Sequence, residues 1–230
     1  MNRVLTIDEK IKKGLEFLEE NSALFSKVEY NLIKAYLISG EFDRLVYLPD
    51  MVRQIIDELG MLKEEQDIYG GFLKIFSESF SLKDKEIIEI GGGVFPRLGN
   101  RLVDNYEIRK ISIYDSRISP YISDNDRLKL IRRKVLIGED DLGGDIIIGF
   151  MPCNGAEVIL DQAINYQHDF MITLCGCGND SKFKSEDEWI NYLIDMANMG
   201  INKNNMGILK TKSLKQYGLK YPVIYNERNW

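Results

Sequence analysis

Histidine, tryptophan and cysteine are scarce, at one, two and three in 230 residues. The single histidine, His168, leaves the chain without an evident His–acid catalytic pair. The cysteines, Cys153, Cys175 and Cys177, are odd in number and all lie beyond residue 150. That excludes a disulfide scaffold and suits a reducing, cytoplasmic setting. No apolar run approaches the roughly 18 residues of a membrane span. The opening "MNRVLTIDEK" has no apolar signal core, so a secretory route is not expected either. Internal repeats and low-complexity linkers are lacking. The net charge of −6 argues against a broad nucleic-acid surface. Residues 201 to 230 run the other way, with six Lys or Arg against one Glu, so a local basic patch remains open.

What is present falls into two textures. Residues 1–83 carry helical periodicity. Ile11, Leu15 and Leu18 recur at spacings of three and four, with Thr6 or Asp8 as the cap. Val28, Leu32 and Tyr36 share a face of a second helix that Gly40 would stop. A third helix is expected from Pro49 and Asp50 to Gly60, and a fourth over 62–80, kinked near Gly70 and Gly71. Catalytic clusters are not evident there; the expectation is a helical domain, with a homodimer contact as one use for it.

From 84 to 230 short apolar runs alternate with helical ones. "KEIIEIG", "IRKISIYD", "RRKVLIG", "GDIIIGF" and "DFMITLCGC" read as strands covered on both faces. "GAEVILDQAINYQ" and "SEDEWINYLIDMANM" read as helices between them, and the tail offers two closing strands. This series implies an α/β, Rossmann-like fold with a mostly parallel central sheet, behind an N-terminal helical domain.

The chemistry concentrates where strands end, since ligands of open parallel sheets bind there. The first strand runs into Gly91, Gly92 and Gly93, which permit positive φ and close backbone approach by a ligand. The dinucleotide fingerprint G-x-G-x-x-G is not met, because Pro96 stands at its sixth position, and Walker A fails for want of G-K-[ST]. Pro96 suits the first turn of a helix. Asp115 ends the second strand, 24 residues beyond Gly91, where an acid can accept from both ribose hydroxyls. Glu89, two residues before the glycines, could hold either the cofactor or the loop.

"EIIEIGGG" with "ISIYD" resembles the first two strands of the class I S-adenosylmethionine-dependent methyltransferases, over roughly residues 84–180. That family's first motif is an acid, one residue, then G-x-G, here Glu89, Ile90, Gly91, Gly92 and Gly93. The resemblance implies that the glycine loop passes the methionine portion of S-adenosylmethionine. It implies that Asp115 holds the ribose, and that Glu139, Asp140 or Asp141 lies near the adenine. The fourth and fifth strand ends, "MPCNGAE" and "LCGCG", are similar to a branch with cysteine–glycine elements that includes tRNA enzymes. They depart from its His, Cys-Gly and adjacent-cysteine pattern, and "MPCN" is not a "PPY"-type loop. The helical front with G-x-G-x-x-P also resembles the nicotianamine-synthase-like enzymes, which transfer the aminocarboxypropyl group of the same cofactor.

Past the fourth strand, Met151 is a cofactor contact candidate, and Cys153, Asn154 and Glu157 are candidates at the acceptor. Asn154 could orient an acceptor or merely form a turn. Glu157 could face substrate or stabilise its helix N-terminus. The cysteines suit packing and pocket lining; a substrate-contacting thiol, zinc and an iron–sulfur cluster are alternatives, and no metal is assigned. Arg97 and Arg101, four apart, suit surface charge or an anionic group. His168 precedes the fifth strand, on the edge away from the glycines. The expected function is methyl transfer from S-adenosylmethionine to a small-molecule acceptor. Alternatives are RNA or tRNA methylation aided by the basic tail, aminocarboxypropyl transfer, a nicotinamide oxidoreductase, and a non-catalytic Rossmann-like scaffold.

Overall fold

Thr6 starts α1 (Ile7–Glu20) with a capping box. Its hydroxyl accepts from Glu9 N at 3.3 Å, and Glu9 Oε2 accepts from Thr6 N at 2.8 Å. A single 3₁₀ turn leads into α2 (Lys27–Ser39). Leu18, Ile33 and Leu37 are fully buried in this helical pair, and Tyr30 donates its hydroxyl hydrogen to Glu19. Residues 6–39, 67–94, 96–120, 122–175, 182–216 and 219–228 are those described by the computed structural model. The expected helix from Pro49 to Gly60, and the side chains of Val28, Leu32 and Tyr36, lie outside the described residues.

Contacts divide the chain into two compact units, Met1–Asp67 and Ile68–Trp230. The division lies ahead of the change in sequence periodicity at 84. The cause is α3 (Ile68–Ser79), which buries Tyr69, Phe72 and Phe76 in the core of the second unit. Tyr69 stacks on Phe150 at 4.4 Å between ring centroids, and Phe72 meets Phe150 edge-on at 5.7 Å. Gly70 and Gly71 fall in the first turn of α3, so they do not interrupt it; a Cβ on Gly71 would sit 2.9 Å from Leu214.

The second unit is built on seven strands: β1 (Glu86–Ile90), β2 (Lys110–Tyr114), β3 (Leu128–Ile131), β4 (Ile146–Phe150), β5 (Asp169–Thr173), β6 (Ile208–Gln216) and β7 (Leu219–Glu227). Their order is β3-β2-β1-β4-β5-β7-β6. The first five are mutually parallel; β7 runs antiparallel to β5, and β6 pairs antiparallel with β7. Period-two alternation splits the core. Ile87, Ile111, Ile113 and Ile148 face α3 and α4 (Arg97–Asn105). Ile88, Ile90, Ile147 and Ile172 face α5 (Gly155–Tyr166) and α6 (Glu186–Asn204). Both faces are covered, which is why the strands read as continuous apolar runs. The sheet is Rossmann-like and mostly parallel, as the sequence implies.

The third strand is displaced from its expected place. "RRKVLIG" forms a loop, and the strand is the preceding "LKLI", with Ile111 opposite Leu128 and Ile113 opposite Leu130. Lys129 breaks the apolar run because β3 is an edge strand with one solvated side. Leu136 and Ile137, which mimic a strand, are 62% and 60% exposed.

Candidate functional site

The chain leaves β1, builds β2 and β3 on one side, and returns to β4 on the other. The C-terminal ends of β1 and β4 therefore form the switch point where open α/β sheets take ligands. Two loops meet there. Gly91 has φ +85°, and a Cβ on it would lie 3.0 Å from Pro152 Cβ, so the glycine loop and the loop after β4 touch. Gly92 backs onto Ile113, and Gly93 points its N–H toward β2. Behind them, a Cβ on Gly99 would fall 2.2 Å from Ile113 Cδ1. Gly99 thus does for α4 what the last glycine of the dinucleotide fingerprint does: it lets the helix close on the sheet. Pro96 occupies the N-cap position of α4.

Glu89 lies beneath this loop rather than on its surface, at 2% exposure. Its carboxyl is set against Gly92 and Gly99 and takes the Gly99 N–H at the start of α4. Its Oε2 has no hydrogen-bond partner among the described residues. Burial raises its pKa to about 8; the charge of Asp115 adds to this, and the Gly99 N–H opposes it. Glu89 is therefore largely protonated at neutral pH.

Asp115 is the opposite case. Burial pushes its pKa up, but the Arg117 guanidinium and the N–H groups of Arg117 and Gly93 outweigh burial and hold it below its ordinary value. Its Oδ2 accepts from Gly93 N at 2.9 Å and from Arg117 NH2 at 2.8 Å. Its Oδ1 accepts from Arg117 N at 2.8 Å and Arg117 Nε at 3.1 Å. The glycine loop and the acid after β2 are thus one hydrogen-bonded unit. Ser119 N, donating to Val94 O at 3.0 Å, is a second tie between the same two loops.

Beyond β2, a cavity of about 500 Å³ is lined by Tyr114, Arg133, Gly138, Glu139, Asp140, Asp141 and Leu142. Arg133 covers the Tyr114 ring at 5.2 Å and pairs with Glu139 at 2.7 Å. The carbonyl of Glu139 accepts from Gln162 and from Tyr166, each at 3.0 Å, which anchors this loop along α5. Asp141 Oδ1 lies 2.6 Å from His168 Nε2. His168 precedes β5, at the edge away from the glycines, where it ties a loop down.

The loop after β4 is strained: Met151 and Cys153 have φ of +49° and +50°, costly for side-chain-bearing residues. Met151 N bonds Thr173 O at 3.0 Å, which fixes the loop to β5. Cys153 Sγ lies 3.8 Å from Cys175 Sγ, so two of the three thiols come together. Cys177 lies outside the described residues. Among the described residues no group of three or more His, Cys, Asp or Glu is placed to hold a metal. Asn154 is exposed at the start of α5 without capping it. Glu157, in the first turn of α5, hydrogen-bonds Tyr192 of α6, whose pKa rises through burial and this carboxylate. Arg97 is buried and Arg101 half-buried; both guanidinium groups lie over the Tyr69 ring, at 5.6 and 5.7 Å.

No family model matches the chain, and no curated protein does. Solved structures do. A methyltransferase from Pyrococcus furiosus is 15% identical, covering 69% of this chain and 82% of its own, at a TM-score of 0.46. Precorrin-6y C5,15-methyltransferase from Geobacter metallireducens is 10% identical, covering 67% and 86%, at 0.44. A variant of MtNAS in complex with S-adenosylmethionine is 11% identical, covering 97% and 90%, at 0.41. The fold itself is Rossmann-like, a mostly parallel seven-stranded sheet of order β3-β2-β1-β4-β5-β7-β6. No described helix is long and apolar enough to cross a membrane.

Sequence reasoning missed Arg117, Gly99 and Tyr114. Arg117 had a local signal, the D-x-R spacing after a strand end. Gly99 is hidden by Pro96, since the helix-packing glycine stands three positions later than the fingerprint expects.

Proposed function

We propose that this chain is an S-adenosylmethionine-dependent methyltransferase acting on a small-molecule acceptor. One observation carries the reading: Gly93 of the loop that would pass the methionine portion bonds the carboxylate that would hold the ribose. The loop that would cradle the cofactor and the acid that would hold its ribose are thus one hydrogen-bonded unit at the switch point. The residues fit the group. Asp115 is ionised and already grips two side-chain donors, the pattern two ribose hydroxyls would present. Gly91 brings the backbone of the loop against Pro152. Glu139 and Asp140, beside Tyr114, would serve the adenine side, and Met151 the cofactor's far end.

When bound, S-adenosylmethionine supplies an electrophilic methyl group on a sulfonium. The protein's own contribution is orientation, which can account for much of the rate of a displacement. Cys153, Asn154 and Glu157 stand at the end of β4 and the start of α5, where an acceptor would face the cofactor. Asn154 would orient it, and Glu157 would take a proton if the acceptor carries one.

The basic tail gives RNA weak support. Lys210 pairs with Glu227 and Lys212 with Glu78, both at 3.3 Å, and Arg228 pairs with Asp169 at 2.7 Å. Half of the tail's cations are thus committed to neighbouring acids.

Calorimetric titration with S-adenosylmethionine and S-adenosylhomocysteine tests the reading. Wild type should bind both, and Asp115→Ala should bind at least about tenfold more weakly, as for losing a charged hydrogen-bond acceptor. Wild type that binds neither would remove the cofactor assignment. Release of S-adenosylhomocysteine on turnover marks methyl transfer; release of methylthioadenosine would mark aminocarboxypropyl transfer instead.

A further inference from the structure

The cavity wall at residues 138–142 is a loop without regular structure, backed by one face of α5. The centre of that contact is Gln162, a fully buried polar residue among the buried apolar residues of the helix. Its Nε2 donates to Glu139 O at 3.0 Å and, over a longer contact, to Asp140 O at 3.5 Å. Its Oε1 accepts from Leu142 N at 3.2 Å. The two carbonyls belong to the peptide planes on either side of the Asp140 Cα. Peptides are planar, so the two dihedrals between those planes decide where the Asp140 side chain starts. One buried amide therefore sets the conformation at Asp140 from both sides, and the bond from Leu142 N closes the grip. Burial matters here, because a buried amide left without partners is costly and so holds to the ones it has.

The three acids of this wall are not equivalent. Glu139 spends its carboxylate on Arg133 and Leu136 N, and Asp141 spends its own on His168 and Gly143 N. Asp140 lines the cavity, and its carboxylate makes no hydrogen bond or ion pair among the described residues. Its acceptor capacity is open to a ligand. We infer that Gln162 is a positioning residue for nucleobase recognition, holding the Asp140 carboxylate at the cavity to accept from the 6-amino group of the cofactor's adenine. This rests on the reading of the chain as an S-adenosylmethionine enzyme whose base enters this cavity. Gln162 acts through Asp140 and is not itself a lining residue. Its amide is specific to the task. A methionine would fill the same volume and make none of the three bonds. A glutamate would keep the bond from Leu142 N and set an oxygen against Glu139 O. Loss of the amide would not detach the wall, because Tyr166 also donates to Glu139 O and Gly138 N donates to Asp161. The effect therefore falls on the base, while the glycine loop and Asp115 keep their own hydrogen bonds on β1 and β2.

The test is calorimetric, on wild type, Asp140→Ala, Gln162→Met and Gln162→Glu. The probes are S-adenosylhomocysteine and its analogue whose purine lacks the 6-amino group. Wild type should prefer the amino form by about tenfold, as for one hydrogen bond to a charged acceptor. Asp140→Ala should remove that preference. Gln162→Met should cut it to about threefold or less, while binding the analogue within about twofold of wild type. Gln162→Glu, which keeps one of the three bonds, should fall between. Adding Gln162→Met to Asp140→Ala should change the preference no further, since the two act through one carboxylate. In the ligand-free protein, the Leu142 amide should exchange its hydrogen faster in Gln162→Met than in wild type. A preference kept in Gln162→Met but lost in Asp140→Ala would overturn the role of Gln162. So would weaker binding of both probes alike, which marks a loosened loop and not a misplaced carboxylate. Equal binding of the two probes by wild type would overturn the inference and leave the cofactor reading standing. A wild type that binds neither removes that reading, and the inference with it. Far-UV circular dichroism and the thermal midpoint establish that each variant is folded; Asp140 is exposed, so its variant decides the base contact even if a substitution at 162 unfolds the chain.

Discussion

Replacing Glu89 by glutamine should change how stability depends on pH, and the sign follows from burial. In the unfolded chain the carboxyl titrates near its ordinary value of 4.5; in the fold it titrates at about 8. Below the lower value both states are protonated and the group contributes no pH dependence. Between the two values the folded state keeps a proton that the unfolded state has lost, so folding becomes less favourable as pH rises. One retained proton gives a slope of at most about 1.4 kcal/mol per pH unit. Across the whole interval the loss is at most about 5 kcal/mol, an upper figure because a buried site relaxes. Glutamine cannot ionise, so Glu89→Gln should lack this component. Its amide must find an acceptor near Gly99, which adds an offset that is the same at every pH. The assay is urea unfolding of both proteins at pH 5, 6, 7, 8 and 9. The difference, variant minus wild type, should climb in the variant's favour from pH 5 to 8 and then flatten. Parallel stability curves would refute the reasoning and place Glu89 as an ionised group or one that water reaches.

Gly99→Ala should destabilise the fold by about 1–3 kcal/mol through overpacking, since the new Cβ meets Ile113 Cδ1 at 2.2 Å. Adding Ile113→Val, which removes that atom, should recover part of the loss in denaturant titrations. Thr6→Ala should lower the stability of the helical unit by about 1 kcal/mol by removing the capping box, read as a loss of helical signal at lower temperature; an unchanged melt would refute it. The Cys153 and Cys175 thiols, at 3.8 Å, should form a disulfide with an oxidant such as glutathione disulfide. Peptide mapping should find that pair bridged, and alkylation of both thiols at undiminished rates after oxidation would count against it.

The glycine turn and both acids were legible because each is a local pattern: a strand end followed by residues that permit a turn or carry a carboxylate. Periodicity also located α5, α6 and the closing hairpin, since each keeps one spacing long enough to be read. It misplaced β3. "VLIG" has the composition of a strand, but Leu136 and Ile137 stand in solvent, while "LKLI" hides a true edge strand behind one lysine. The attachment of α3 to the sheet was not legible, because an apolar helical face does not say what it packs on; residues distant in sequence, Phe150 and Leu214 among them, decide that. Arg117 was hidden for a related reason. A charged residue two positions past a strand end looks like surface, and its meaning lies in which oxygens it grips.

The two acids illustrate how one fold gives identical chemical groups different states. Glu89 and Asp115 sit at the ends of neighbouring strands, and the charge of Asp115 helps raise the pKa of Glu89. Two ionised carboxylates under one loop would repel strongly at the low dielectric of a covered sheet. The fold separates them by donors. Asp115 collects two backbone N–H groups and a guanidinium, and stays charged. Glu89 is left with the Gly99 N–H and an oxygen without a partner, and keeps its proton. Pairs of carboxyls driven apart in this way divide labour between them. Here the neutral one sits beneath the glycine loop at the root of α4, where a charge would loosen the packing on Ile113. The ionised one faces the opening. Arg117 matters to both, since neutralising Asp115 from the solvent side also lowers the field that Glu89 feels.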